Sequence, residues 1–277
     1  MLGQDLAAEA DAVHHEVVAL SREQLDVTDQ DAVFDAMHRH MPAVVVNCAA
    51  YTNVDAAEED ADAAFAINET GAGNVAAGAA DIGARVIQIS TDYVFNGSKG
   101  APYVESDETA AIGVYGQSKL AGEIAVARAN PRHLIVRTSW LFGLGGKNFV
   151  ETMLALAEKQ NEILVVNDQV GCPTYTRHLA AALVELLDYE RTGVMHVAGE
   201  GHCTWYEFAR EIFRQSQVDV TVLSGTTEML GRPAPRPPIS ALETERDDAP
   251  RLPRWDHGLH GYLLARADSS INKEATL

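Results

Sequence analysis

Short apolar runs alternating with longer stretches of helical spacing dominate the first half of the chain. Met1-Leu2-Gly3-Gln4-Asp5-Leu6 opens directly into a helical pattern. His15 to Leu20 reads as a short strand ending at Ser21-Arg22, and Thr28 or Asp29 stands where it would cap a helix from Gln30 to His40. Pro42 stops that helix. Ala43 to Asn47 is too uniformly apolar to alternate, as befits a strand covered on both faces. An alanine-rich helical region from Ala63 to Ile82 comes next, then a strand at Arg85 to Ile89, a helix carrying Tyr115 and Lys119, and a strand at His133 to Thr138. Strand and helix alternating at short intervals predict an α/β fold with a doubly wound parallel sheet. Ligands then belong beyond the carboxyl ends of the strands. Those ends carry Ser21-Arg22, Ala50-Tyr51-Thr52, Ser90-Thr91-Asp92 and Ser139-Trp140, a binding edge.

After Phe149 the pattern changes. A helix from Val150 to Gln160 leads to a strand at Ile163 to Val166, and another helix runs from about Thr176 to Leu187. Gly193 to Ala198 looks like a core strand returning to the sheet, and Thr204 caps a helix carrying Trp205 to Gln215. The proline-rich stretch Gly231 to Ser240 reads as an irregular loop lying on the protein, followed by a short helix at Trp255 to Ala265. These patterns divide the chain into a dinucleotide-binding domain at 1–160, N-terminally truncated, and a smaller, mainly substrate-binding region at 161–277. Strand 193–198 returns to the first domain.

Composition narrows the partners. With 47% apolar residues over 277 positions the chain can bury a sizeable core, and no apolar run approaches the ~18 residues that cross a bilayer. A cytoplasmic location is the default expectation. Cys48, Cys172 and Cys203 lack metal-ligand or disulfide spacing, and none is assigned to chemistry or to a metal. The formal net charge is −19, with acidic residues scattered rather than gathered in a tail. Such a surface repels nucleic acid and anionic membrane. It also suits a halophilic, salt-adapted cytoplasm, where the Debye length shrinks to ~3 Å at 1 M salt.

The chemistry gathers at two neighbouring stretches. Thr91 ends an apolar strand, and Tyr115 and Lys119 lie four residues apart, on one helical face. A hydroxyl, a phenol and an ammonium at a strand end make a proton-delivery site.

In their order, Asn47-Cys48-Ala49-Ala50-Tyr51-Thr52, Ser90-Thr91-Asp92-Tyr93-Val94-Phe95, Tyr115-Gly116-Gln117-Ser118-Lys119 and Arg137-Thr138-Ser139-Trp140 resemble motifs of the extended short-chain dehydrogenase/reductase family. Asn148-Phe149-Val150, Asp168-Gln169-Val170-Gly171, Thr204 to Phe208 and Arg236-Pro237 extend the resemblance over nearly the whole chain. Within the family they resemble the branch that reduces the C4 ketone of dTDP-4-dehydro-L-rhamnose to dTDP-L-rhamnose with NADPH. The resemblance implies a Rossmann-like fold, a nucleotide-linked deoxysugar as substrate, and room for a homodimer.

Carried over by residue, it makes Tyr115 the acid that protonates the keto oxygen, with Lys119 lowering the phenol's pKa and bonding the nicotinamide ribose. Thr91 supplies a hydroxyl to the same oxygen, Asp92 lies by the sugar, and Trp140 offers it an apolar face. Asn148, Arg232 and Arg236 are candidates for the nucleotide end, where a diphosphate favours guanidinium, though the two arginines equally suit pairing with the abundant carboxylates. On the cofactor side the resemblance implicates Ala50, Tyr51 and Thr52 beside the dinucleotide and Asp26 and Val27 beside the adenine. Ser21 and Arg22 stand where an acid would select NADH, so NADPH is preferred, with NADH as the alternative. An epimerase or dehydratase of nucleotide sugars, or a regulatory subunit like the beta subunit of methionine adenosyltransferase, remain as other readings of the fold.

One departure stands out. Gly3 aligns with the last glycine of the family's glycine-rich turn, and the preceding strand and glycines are missing. That strand is expected to lie between Ala43–Asn47 and Arg85–Ile89, so that its loss leaves two half-sheets with open edges. A start placed about ten residues late is the expectation that follows.

Overall fold

The computed structural model describes residues 1–274. Along the chain its principal helices are α1 (Leu2–Ala12), α2 (Gln30–His40), α3 (Val54–Glu59), α4 (Ala61–Phe65), α5 (Ala72–Asp81), α6 (Val114–Ala129), α7 (Phe149–Ala157), α8 (Thr176–Leu187) and α9 (Trp205–Ser216). A C-terminal helix follows at Trp255–Glu274, ending well beyond the expected Ala265.

Arg85–Thr91 is buried at every position, which only a central strand allows. It is β2 of a four-stranded parallel sheet, flanked by β1 (Val44–Asn47) and β3 (His133–Thr138), with Gly193–His196 beyond β3. Side chains of β2 alternate between two cores. Ile87 and Ile89 face Leu2 and Leu6 of α1 and Leu179 and Leu183 of α8. Val86 packs on the other face with Val33 of α2, Ala76 of α5 and Val126 of α6. The chain is therefore α/β with helices on both faces of a parallel sheet, as its alternating pattern implies.

Beyond this sheet, α7, α9 and the C-terminal helix close over a parallel pair, Glu162–Val166 with Thr221–Gly225. Thr204 caps α9 through a full capping box with Glu207, and Asp29 caps α2. All three cysteines are free thiols. Among the described residues no helix is long and apolar enough to cross a membrane.

Two expectations need correction. His15 to Leu20 forms no strand: it is coil, and Val17, Val18 and Leu20 are exposed. A strand exists only where a neighbour takes up its backbone N–H and C=O groups, and no ladder reaches this segment. Nor is the sheet split in two. Val44 to Asn47 pairs directly with Arg85 to Gln88, so β1 and β2 are true neighbours and the open edge is the outer side of β1.

Candidate active site

The carboxyl end of β2 turns sharply at Thr91. Its hydroxyl oxygen caps a short 3₁₀ turn, Asp92–Val94, by accepting from the Tyr93 amide at 3.2 Å, and it donates to the Asp92 carboxylate at 3.0 Å. α6 presents its polar face to this turn. The helix comes very close: a Cβ on Gly116 would lie 2.2 Å from the Tyr93 carbonyl, and one on Gly122 would lie 2.0 Å from that of Asn68. Only glycine permits this approach. It sets the Tyr115 phenol close enough to Thr91 for the hydroxyl to act on its titration.

Burial pushes the Tyr115 phenol up to about 12, with the nearby Thr91 hydroxyl working against that rise and the Asp92 charge adding to it. Lys119, one turn along, is buried and donates to the Ile89 carbonyl at 2.7 Å. Burial brings its ammonium down to about 8, opposed by the nearby Glu123 carboxylate and Cys48. The expectation that Lys119 lowers the phenol's pKa is therefore not met. The ammonium is tied to the strand, and desolvation dominates at the phenol.

Behind these groups lies a buried ion pair. Arg137 of β3 makes a two-pronged contact with Glu123 of α6, at 2.9 and 2.7 Å, and Ser90 donates to the same carboxylate. Both side chains are only 5% exposed. This pair pins α6 to two strands and was not among the expected site residues, although Tyr115, Lys119 and Glu123 recur every four positions. Asn68 is a second support that had no local signal. It lies in a π-helical turn, Ala66–Gly71, brackets the Tyr51 backbone at 2.9 and 3.1 Å and donates to Ser118 of α6 at 2.9 Å.

The loop Ala50, Tyr51 and Thr52 is thus held beside α6. Gly3 sits in the first turn of α1, facing Cys48. Asp26 and Val27 belong to a turn in which Asp26 accepts from the Thr28 amide and hydroxyl, while Asn74 holds the Val27 carbonyl. Ser21 and Arg22 lie on an exposed turn.

On the substrate side, Asp92 is buried against Ser240 as well as Thr91. Trp140, with φ +47°, stacks on Trp205 at 3.5 Å between ring centres, so one face of its indole is already covered. Arg236 grips Asp55 with two contacts of 2.9 Å and Arg232 reaches the same carboxylate at 3.3 Å, holding that carboxyl below its usual range. Carboxylate pairing is thus the role in which both arginines appear. Asn148 is buried, caps α7 and donates to the Gly143 carbonyl at 2.9 Å.

The donor set suits the nicotinamide end of a dinucleotide. Lys119 commits one proton to Ile89 and has two others, and Thr138, paired with Thr91 across the strand ends, holds a buried hydroxyl with no partner.

A model of the RmlD substrate binding domain matches residues 1–266. The chain is 42% identical to the spore coat polysaccharide biosynthesis protein SpsK of Bacillus subtilis, over 97% of its own length and 95% of that protein. It is 40% identical to the dTDP-4-dehydrorhamnose reductase of Sinorhizobium fredii, covering 90% and 89% of the two chains. The crystal structure of a Bacillus anthracis dTDP-4-dehydrorhamnose reductase in complex with NADP superposes with a TM-score of 0.93, at 38% identity and 95% coverage of both chains.

Proposed function

We infer the reaction from one premise: the chain belongs to the RmlD substrate binding domain family. It is an NADPH-dependent reductase that converts the C4 ketone of dTDP-4-dehydro-L-rhamnose to the alcohol of dTDP-L-rhamnose. The observation that carries this reading is the phenol–hydroxyl pair of Tyr115 and Thr91 at the end of a central strand, with a buried ammonium one turn away.

NADPH, when bound, supplies the hydride to C4. Tyr115 delivers the proton to the C4 oxygen, where a half-buried phenol acts as a weak but well-placed acid. Thr91 donates a hydrogen bond to the same oxygen and stabilises the charge that develops there. Lys119 turns its remaining protons to the ribose hydroxyls. Trp140, stacked on Trp205, forms an apolar wall for the deoxysugar. Ala50, Tyr51 and Thr52 border the dinucleotide, and Gly3, Asp26 and Val27 lie towards its phosphates and adenine. Arg236 and Arg232 meet the substrate's diphosphate by exchanging Asp55 for it, and Asn148 supports the adjoining turn. Organisation follows the same lines: residues 1–160 for the dinucleotide and 161–277 mainly for the sugar nucleotide.

Following NADPH absorbance with dTDP-4-dehydro-L-rhamnose tests the reading; no substrate-dependent oxidation by the folded chain sinks it. Arg22 is the group proposed to favour the 2′-phosphate, so Arg22→Ser should lower the NADPH-over-NADH preference by roughly tenfold, the worth of one charge-assisted contact. A cytoplasmic, salt-adapted enzyme accounts for the charge of −19. Its Tm should climb across a salt series, and a flat series removes that idea.

A further inference from the structure

α6 carries Tyr115 in its first turn, yet its own sequence supplies nothing to hold that turn. Its N-cap is Gly113, which has no side chain, and its first turn contains no acidic residue. A helix start leaves four backbone N–H groups without intrahelical partners, and helix ends fray. Here a carboxylate from another helix meets one of those groups. Glu58, half-buried near the end of α3, accepts from the Val114 amide through Oε1 at 2.8 Å, across 56 positions of sequence. The junction is tight: a Cβ on Gly113 would lie 3.0 Å from that same oxygen and 3.3 Å from the Pro235 carbonyl. The end of α3, the start of α6 and the proline-rich loop therefore converge on Gly113.

α3 is itself fixed from the loop side. Asp55, three residues before Glu58, takes two contacts of 2.9 Å from Arg236, one of 3.3 Å from Arg232, and the Ala234 amide at 3.3 Å. At i and i+3 the two carboxylates share one face of the helix. Asp55 reaches the proline-rich loop and Glu58 reaches α6. Beyond Tyr115 the backbone is also held. Gly116 packs against the Tyr93 carbonyl, and Ser118 donates to the Tyr115 carbonyl at 2.8 Å. The Tyr115 ring stands edge-on to Tyr93, with 5.6 Å between ring centres. On the other side of Tyr115, the Glu58 bond fixes the preceding residue.

We propose that Glu58 is a positioning residue for Tyr115: it caps α6 from α3 and so sets where the phenol points. The proposal rests on the reductase reading, in which the phenol must meet the C4 oxygen at hydrogen-bond distance. Misplacing a reacting group by about 1 Å can cost on the order of a hundredfold in rate. The first turn of α6 is where such a shift arises once the Val114 amide loses its acceptor. Glu58 acts through that amide and not on substrate or cofactor. Its charge suits the place, since a carboxylate is favoured at the positive end of a helix dipole. Gly113 and Gly116 make the arrangement possible, because side chains there would push α3 and the Tyr93 turn away from the helix start.

Glu58→Ala removes the acceptor, whereas Glu58→Gln keeps an oxygen at the same reach without the charge. In Glu58→Ala, kcat for NADPH oxidation with dTDP-4-dehydro-L-rhamnose should fall about tenfold, with KM little changed. Glu58→Gln should recover most of that loss. A cap with no bearing on Tyr115 would lower Tm and leave kcat below the melt unchanged, and that result overturns the proposal. So does a loss in Glu58→Gln as deep as in Glu58→Ala, or one confined to KM. Amide hydrogen exchange gives a readout independent of turnover. The Val114 amide should be protected in the wild type and in Glu58→Gln, and should exchange about tenfold faster in Glu58→Ala. Equal exchange in all three overturns the cap whether or not the chain is active. A Val114 amide released only in Glu58→Ala, from a wild type that oxidises no NADPH with this sugar, overturns the reductase reading instead.

Discussion

Residues 85–95 with α6 and residues 13–24 both sit in the half of the chain that reads as nucleotide-binding, and they are built in opposite ways. In the first, β2 is buried throughout and its polar groups are almost all spoken for: Gln88 bonds Asn47, Ser90 bonds Glu123, and Thr91 bonds Asp92. In the second, Val13, Val17, Val18 and Leu20 are 56%, 38%, 51% and 42% exposed and no ladder reaches the backbone. Their apolar content is similar. What differs is the neighbours, because a strand is an agreement between two segments and an apolar run supplies only one side of it. The groups proposed for catalysis on the first region are preorganised, whereas Ser21 and Arg22, proposed to set the cofactor preference, lie on the second, exposed one.

The deepest break in this contrast is chemical. Tyr115→Phe removes the proposed proton donor from a packed wall and should cost about a thousandfold in kcat with Tm nearly unchanged, measured by NADPH oxidation and thermal melts. A fold-preserving variant with full activity would show that the ordered region is not where the chemistry happens. Next comes the support behind it. Glu123→Gln strands Arg137 in a site where both partners are 5% exposed, and urea titration should show a loss of about 3–5 kcal/mol.

Asp92 gives a signed pH effect. Its folded pKa of about 7 lies above an unfolded value near ~4, so the folded state holds the extra proton between those limits. Stability must then fall as pH climbs from about 4 to about 7, by as much as about 4 kcal/mol for this one group. Asp92→Asn should therefore melt like the wild type at pH 4 and above it at pH 8; equal melting at both values would place the carboxyl in a far more polar setting. The smallest effect belongs to the open region. Val18→Ser should change stability by no more than about 0.5 kcal/mol, and a larger loss in urea titration would mean that the segment is packed after all.

Local codes were the legible part. The helix Thr176–Leu187 has the bounds its periodicity suggests, and the caps at Asp29 and Thr204 are where hydroxyl and carboxylate side chains precede helical runs. Thr91, Tyr115 and Lys119 were recognisable because a strand end and a four-residue helical spacing are visible in one window. Glu123 could have been added on the same spacing. Ser240 could not: it bonds Asp92 across 148 positions, with no periodicity linking them. The grip of Asp55 on Arg236, 181 positions apart, is of the same kind.

The chain's own order of residues determined which segments are helical, that β2 is buried, and where the candidate site side chains fall, since propensity, capping and burial patterns act over a few residues. Only the tertiary structure decided that β1 lies directly beside β2, that His15 to Leu20 stays coil, and that Lys119 bonds Ile89 while burial holds the Tyr115 phenol high. Those outcomes depend on hydrogen-bond partners and desolvation supplied by distant segments, and neither is encoded in any one window of sequence.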